Sequence, residues 1–148
     1  MEHIEIYTDG GCSGNPGPGG WAFVMRRAEG KTERSGGEAN TTNNRMELRA
    51  VIEALSEAER QAPGSDVELK TDSQYVKNGI TAWIIAWKRN GWRTADKKPV
   101  KNQELWMELD AVTARVKPSF SWVKGHAGVE FNERCDELVQ VEIGKLRR

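Results

Sequence analysis

Ile4-Glu5-Ile6-Tyr7-Thr8-Asp9-Gly10-Gly11 alternates with a period of two. Ile4, Ile6 and Thr8 fall on one side, and Glu5, Tyr7 and Asp9 on the other. A strand with a buried face reads this way. The Gly10-Gly11 pair predicts its end. Outward from there, Gly14-Asn15-Pro16-Gly17-Pro18-Gly19-Gly20 reads as a turn. Residues 21–27 read as a second strand, and Glu29-Gly30 as a hairpin turn into a third over 31–36.

The period then changes. Over 45–62 the residues sort onto a helix that advances about 100° per residue. Ala50, Ala54, Ala58, Val51, Leu55, Leu48 and Ile52 fill one broad arc, and Arg49, Glu53, Ser56, Glu57 and Arg60 the opposite one. Asn43 or Asn44 is placed to cap this helix, and Pro63-Gly64 to stop it. Glu47 falls inside the apolar arc, where a carboxylate requires a partner. Val67, Leu69 and Thr71 alternate along another strand that ends at Asp72. Residues 73–79 and 80–90 predict short helices, the second with Trp83 and Trp87 on one face. A helix over 102–116 has Leu105, Leu109 and Val112 as its inner stripe. A last strand over 119–124 and a Gly-bounded loop over 125–128 lead to a closing helix, 131–146, with Asp136 bordering its apolar stripe. The order predicts an α/β (mixed α+β) fold: a mixed five-stranded sheet with helices on both faces.

The 148 residues suffice for one domain, 1–148, with a substantial core. No apolar run is long enough to span a bilayer, and the N-terminus reads directly into a strand, so no membrane role is expected. Cys12 and Cys135 are too few for a disulfide framework or a zinc site, and a reducing, cytoplasmic setting follows as the expectation. Lys+Arg 22 and Asp+Glu 22 cancel, which leaves no global attraction to nucleic acid. The distribution is uneven. Residues 88–101 set Lys88, Arg89, Arg93, Lys97, Lys98 and Lys101 against Asp96 alone.

Asp9, Glu47, Asp72 and Asp136 each sit where an element ends, begins or turns towards the core. Like charges repel, so either the four never meet or a divalent cation sits among them. Hard cations such as magnesium prefer oxygen ligands, and a pair of them about 4 Å apart suits in-line phosphodiester cleavage. Without a Cys or His cluster, zinc and softer metals are not favoured. Any single Asp among 22 acidic residues is more often a solvated charge or a cap; Glu47, on the wrong arc for that, is the exception.

Six local strings, in order, identify a resemblance. They are Tyr7-Thr8-Asp9-Gly10-Gly11 with the 14–20 string, Thr41-Thr42-Asn43-Asn44-Arg45-Met46-Glu47-Leu48, and Thr71-Asp72-Ser73-Gln74-Tyr75-Val76. Gly91-Trp92-Arg93-Thr94-Ala95-Asp96-Lys97-Lys98-Pro99-Val100-Lys101-Asn102, Trp122-Val123-Lys124-Gly125-His126-Ala127-Gly128 and Asn132-Glu133-Arg134-Cys135-Asp136-Glu137-Leu138 complete the set. Along nearly its whole length the chain resembles type-1 ribonuclease H of the bacterial kind. The resemblance implies the ribonuclease H-like fold and an endonuclease that cuts the RNA strand of RNA–DNA hybrids with two magnesium (or manganese) ions. It implies 5′-phosphate and 3′-hydroxyl products and a monomer. The family's metal-site carboxylates fall on Asp9, Glu47, Asp72 and Asp136, and its assisting loop histidine on His126.

The resemblance also assigns the substrate contacts. Asn15, Asn43, Asn44 and Gln74 match residues that read the minor groove, where the 2′-hydroxyl marks RNA. Thr42 and Asn102 match two members of a pocket for a DNA-strand phosphate; Asn40 stands where the family often has arginine. Trp83, Lys88, Arg89, Trp92 and Lys101 belong to a segment that matches the family's basic protrusion; its tryptophans are expected to serve mixed duty, Trp83 lining the DNA channel and others packing, against the plainer reading of a satellite core. Val129-Glu130-Phe131 departs from the family's His-Pro-Glu-like sequence. A separate N-terminal hybrid-binding domain, seen in some relatives, is not expected, which implies low processivity. Fold alone leaves open a DNA-cutting or binding-only member of the same fold family.

Overall fold

The computed structural model describes residues 2–123 and 130–147. Strands β1 (His3–Cys12), β2 (Gly17–Arg27) and β3 (Gly30–Thr41) come first, followed by α1 (Asn43–Gln61) and β4 (Asp66–Thr71). Then come α2 (Gln74–Asn78), α3 (Ile84–Arg89), α4 (Gln103–Val116), β5 (Ser119–Trp122) and α5 (Glu130–Leu146). The sheet order is β3-β2-β1-β4-β5, with the first three strands antiparallel and β1, β4 and β5 parallel. The expected mixed five-stranded sheet is therefore present.

The alternation in β1 sorts two cores. Ile4 and Ile6 join Phe23, Met25 and Leu69 beneath α1 and α4, against Leu48, Val51, Leu55, Leu105 and Leu109. On the opposite face Tyr7, Ala22 and Val24 meet Cys135, Val139 and Ile143 of α5. Burial of each large aliphatic side chain contributes roughly 1.5–3 kcal/mol, so the first core dominates stability.

Glycine-rich stretches are where the structure departs from the expected boundaries. β1 runs through Gly10 and Gly11, which pair with Trp21 and Gly20. The 14–20 string is not all turn, because β2 begins at Gly17. β3 continues past Gly36 to Thr41. Gly20 and Gly37 form a seat for α5. A Cβ on Gly20 would lie 2.9 Å from the Val139 carbonyl oxygen and 3.0 Å from the Glu142 Cβ, and one on Gly37 would lie 3.0 Å from Leu146. Close approach of α5, not chain reversal, accounts for the missing side chains at these two positions.

Helix ends differ as well. Thr42 caps α1, its Oγ1 accepting from the Arg45 N–H at 3.2 Å, and Asn43 and Asn44 become exposed first-turn residues. The helices expected over 73–79 and 80–90 form one continuous run, because α2 passes into α3 through a π-helical turn, Gly79–Trp83. Gly79 lies directly on the indole of Trp106, a fully buried residue of α4. Trp83 and Trp87 surround that indole at centroid distances of 6.4 and 5.5 Å.

Gly79→Ala should therefore cost about 1–3 kcal/mol, because a Cβ would overlap the Trp106 ring. Gly144→Ala is the contrast: it lies in α5 with no atom within 4 Å of an added Cβ, and should stabilise by about 0.5–1 kcal/mol. Urea unfolding of both variants measures the difference; equal effects would reject this reading of the π-helical turn.

Candidate active site

Parallel pairing of β1 with β4 aligns Tyr7 with Lys70. Two residues further on, the same register sets Asp9, within β1, level with Asp72, just past the end of β4. Glu47 arrives from the start of the second turn of α1. It comes close because Gly10 has no side chain: a Cβ there would lie 2.6 Å from the Met46 carbonyl oxygen. Strand and helix backbones thus touch beside the carboxylates. Asp9, Glu47 and Asp72 each offer an oxygen within 4.8 Å of the other two.

Asp9 and Glu47 are buried, and Asp72 is half-buried. Burial drives the Glu47 carboxyl well above its usual range, and the charges of Asp9 and Asp72 push it further. The Gly10 N–H and the Ser73 hydroxyl offset part of this. Glu47 Oε1 is buried without a hydrogen-bond partner. The Cys135 thiol is raised by burial first and by the Asp9 charge second, so Asp9 is felt by both helix layers. An orphaned buried carboxylate oxygen beside two further carboxylates fits a hard divalent cation, and the all-oxygen donor set suits magnesium, calcium or manganese rather than zinc.

The structure does not bring every expected ligand into that cluster. Asp136 is half-buried on α5, next to Cys135, and lies outside the 4.8 Å group. His126 lies outside the described residues.

The other expected contacts line the adjoining surface. Asn15, Asn43, Asn44 and Gln74 are exposed, and Asn15 Oδ1 accepts from the Asn43 N–H at 3.1 Å. This bond ties the β1–β2 turn to the start of α1. Thr42 and Asn102 converge on a residue not singled out from the sequence, Arg45. Its N–H binds Thr42 Oγ1, and its Nη1 donates to Asn102 Oδ1 at 3.1 Å. Asn102, left-handed with φ 60°, donates from Nδ2 to the Tyr75 hydroxyl at 3.0 Å. The Trp106 Nε1–H meets the same hydroxyl at 3.0 Å. Gly10, Ser73 and Tyr75 were also missed as site residues. A three-residue spacing from the Thr42 cap is the one sequence signal that points to Arg45.

The basic segment is divided between core and surface. Trp87 and Trp92 pack against the core, whereas Trp83 is 37 % exposed. Tyr75, Trp83, Trp87, Thr94, Val100 and Lys101 line an open cleft of about 370 Å³. Arg89 is exposed, and Lys88 reaches Asp110 at 3.4 Å.

Comparison with known proteins follows this geometry. The family model for RNase H matches residues 1–143. Ribonuclease H of Agrobacterium fabrum is 56 % identical over 148 residues, covering 100 % of this chain and 99 % of the relative. Ribonuclease H of Rhizobium johnstonii is 59 % identical over 140 residues, covering 95 % of this chain and 91 % of the relative. Among solved structures, LC9-RNase H1, a type 1 RNase H with the type 2 active-site motif, is similar at TM-score 0.87 and 31 % identity. That match covers 99 % of this chain and 74 % of the other. LC11-RNase H1, solved in complex with RNA/DNA hybrid, is similar at TM-score 0.75 and 28 % identity over 98 % of this chain and 99 % of that one. The chain belongs to the ribonuclease H family, metal-dependent endoribonucleases that hydrolyse the RNA strand of RNA–DNA hybrids.

Proposed function

We propose that this chain cuts the RNA strand of RNA–DNA hybrids by two-metal-ion hydrolysis and leaves 5′-phosphate and 3′-hydroxyl ends. The convergence of Asp9, Glu47 and Asp72 within 4.8 Å carries this reading. Asp9, Glu47, Asp72 and, from the α5 side, Asp136 would hold magnesium, with manganese as a substitute. Bound there, the ions would supply Lewis acidity and ease deprotonation of the attacking water. Glu47 must release its raised proton to act as a ligand, so loading and deprotonation are coupled at this residue. We assign His126 to proton handling beside the carboxylates, for which an imidazole near neutrality is suited.

Asn15, Asn43, Asn44 and Gln74 are exposed beside the carboxylates, where amides can bond a 2′-hydroxyl and distinguish the RNA strand. Thr42 and Asn102 hold a phosphate of the DNA strand. Trp83, Lys88, Arg89, Trp92 and Lys101 form the arm that follows the DNA backbone, combining aromatic surface with cations. The solved complex of LC11-RNase H1 with RNA/DNA hybrid supports the same substrate class. The acting unit is a monomer.

Asp9→Asn should bring cleavage of labelled hybrid below detection with magnesium or manganese while hybrid binding persists. Turnover equal to the parent would overturn the site assignment. Lys101→Ala should raise KM for hybrid and reduce the slope of log affinity against log salt by about one, with kcat little changed. An unchanged slope would remove Lys101 from the interface.

Glu47 also predicts a pH signature. Its folded-state pKa lies above the unfolded value of 4.5, so the folded chain binds more protons between the two. Stability from this group is full below the unfolded value and is lost as pH rises through the folded value. Glu47→Gln should raise the melting temperature of the metal-free protein at about pH 7 by roughly 2–8 °C. The gain should vanish at about pH 4. Magnesium should raise the melting temperature of the parent but not of the variant. A variant that melts below the parent at neutral pH would contradict this account.

A further inference from the structure

Arg45 connects the two residues assigned to the DNA-strand phosphate, and it is already holding an anion. Its backbone N–H is bound to Thr42 Oγ1, and its Nη1 donates to Asn102 Oδ1 at 3.1 Å. The same Nη1 meets Glu104 Oε1 at 2.5 Å. Arg45 is half-buried, with 29 % of its side chain exposed, whereas Glu104 is 63 % exposed on the first turn of α4. A fixed cation is thus paired with a solvent-facing carboxylate that leaves at little cost. The Glu104 carboxyl is held below its usual range, chiefly by the hydrogen bond from Arg45.

A carboxylate and a phosphate present the same anionic oxygen acceptor to a guanidinium. Asn40 is exposed and uncharged, so it brings no cation to this pocket. A purely structural account makes Glu104 the favourable charge at the start of α4. That account explains the acid but not why Arg45 reaches across from α1 to Asn102 and Glu104 together. We propose that Arg45 is the cation of the DNA-strand phosphate pocket and that Glu104 occupies it as an intramolecular stand-in for phosphate. Binding of the hybrid exchanges one anion for the other. The proposal rests on the reading of Thr42 and Asn102 as that pocket.

One turn further along both helices, Arg49 meets Glu108 at 3.4 Å, and Glu108 is 50 % exposed. This second pair supplies a control with the same charge change. KM and kcat for labelled hybrid at low salt are compared for Glu104→Gln, Glu108→Gln and the parent. Glu104→Gln should lower KM about two- to fivefold, the range for releasing an exposed ion pair, with kcat within about twofold. Glu108→Gln should change KM by less than about 1.5-fold. In an Arg45→Ala background, Glu104→Gln should give no gain, and in the Arg45 protein the gain should shrink as salt rises.

The exchange is overturned if Glu104→Gln lowers KM no more than Glu108→Gln, or if the gain survives without Arg45. Thr42→Ala and Thr42→Ser separate this failure from failure of the pocket. If Thr42→Ala leaves KM unchanged, the pocket reading itself falls. If Thr42→Ala raises KM, Thr42→Ser restores it, and Glu104→Gln has no effect, only the exchange falls. Thermal melts of each variant verify that the fold is retained.

Discussion

The backbone contact between Gly10 and the Met46–Glu47 peptide of α1 is the constraint on which the site depends. No side chain fits between them. The contact carries Glu47 down onto Asp9 and gives its carboxylate a hydrogen bond from the Gly10 N–H. A side chain at Gly10 would overlap the α1 backbone and push the helix, with Glu47, away from β1. Parallel pairing supplies the other half, because it sets Asp72 beside Asp9 at the same end of the sheet.

The resulting cluster works against the fold that builds it. Burial and two like charges all disfavour ionised Glu47, and one of its oxygens has no hydrogen-bond partner. Such local conflict is uncommon away from functional positions, since unpaired buried polar atoms are costly. The surrounding packing is strong enough to hold it. Two apolar cores clamp the sheet from opposite faces, and the bidentate pairing of Arg134 with Glu33, at 2.9 and 3.2 Å, fastens α5 to β3.

Most of this architecture was legible from periodicity. The two sides of residues 4–9 became the two cores, and the arc that held Glu47 was the buried one. Glycine was the weak point. Gly17, Gly19, Gly20 and Gly37 were open to reading as turn or strand end, yet they lie in paired strands, Gly20 and Gly37 beneath α5. A sequence carries no mark that separates a glycine needed for chain reversal from one needed for close approach. Arg45 was hidden for a different reason. Its partners Asn102 and Glu104 are more than fifty positions away, and only the crossing of α1 and α4 brings them together. The tryptophans were ambiguous because one ring can serve a core with one face and a cleft with the other, as Trp87 does.

The level placement of Asp9 and Asp72 bears on how this chain tolerates changes in length. Side chains in a strand alternate, so adding or removing one residue within β4 before Asp72 would turn that carboxylate to the opposite face of the sheet. The same event in the hairpin turn between β2 and β3, or in the 62–65 connection, would leave the register of β1 and β4 untouched. Insertions and deletions drifting into such a gene are therefore filtered by strand phase rather than by hydrophobicity. Length variation compatible with a working site is confined to the ends of the sheet remote from the carboxylates.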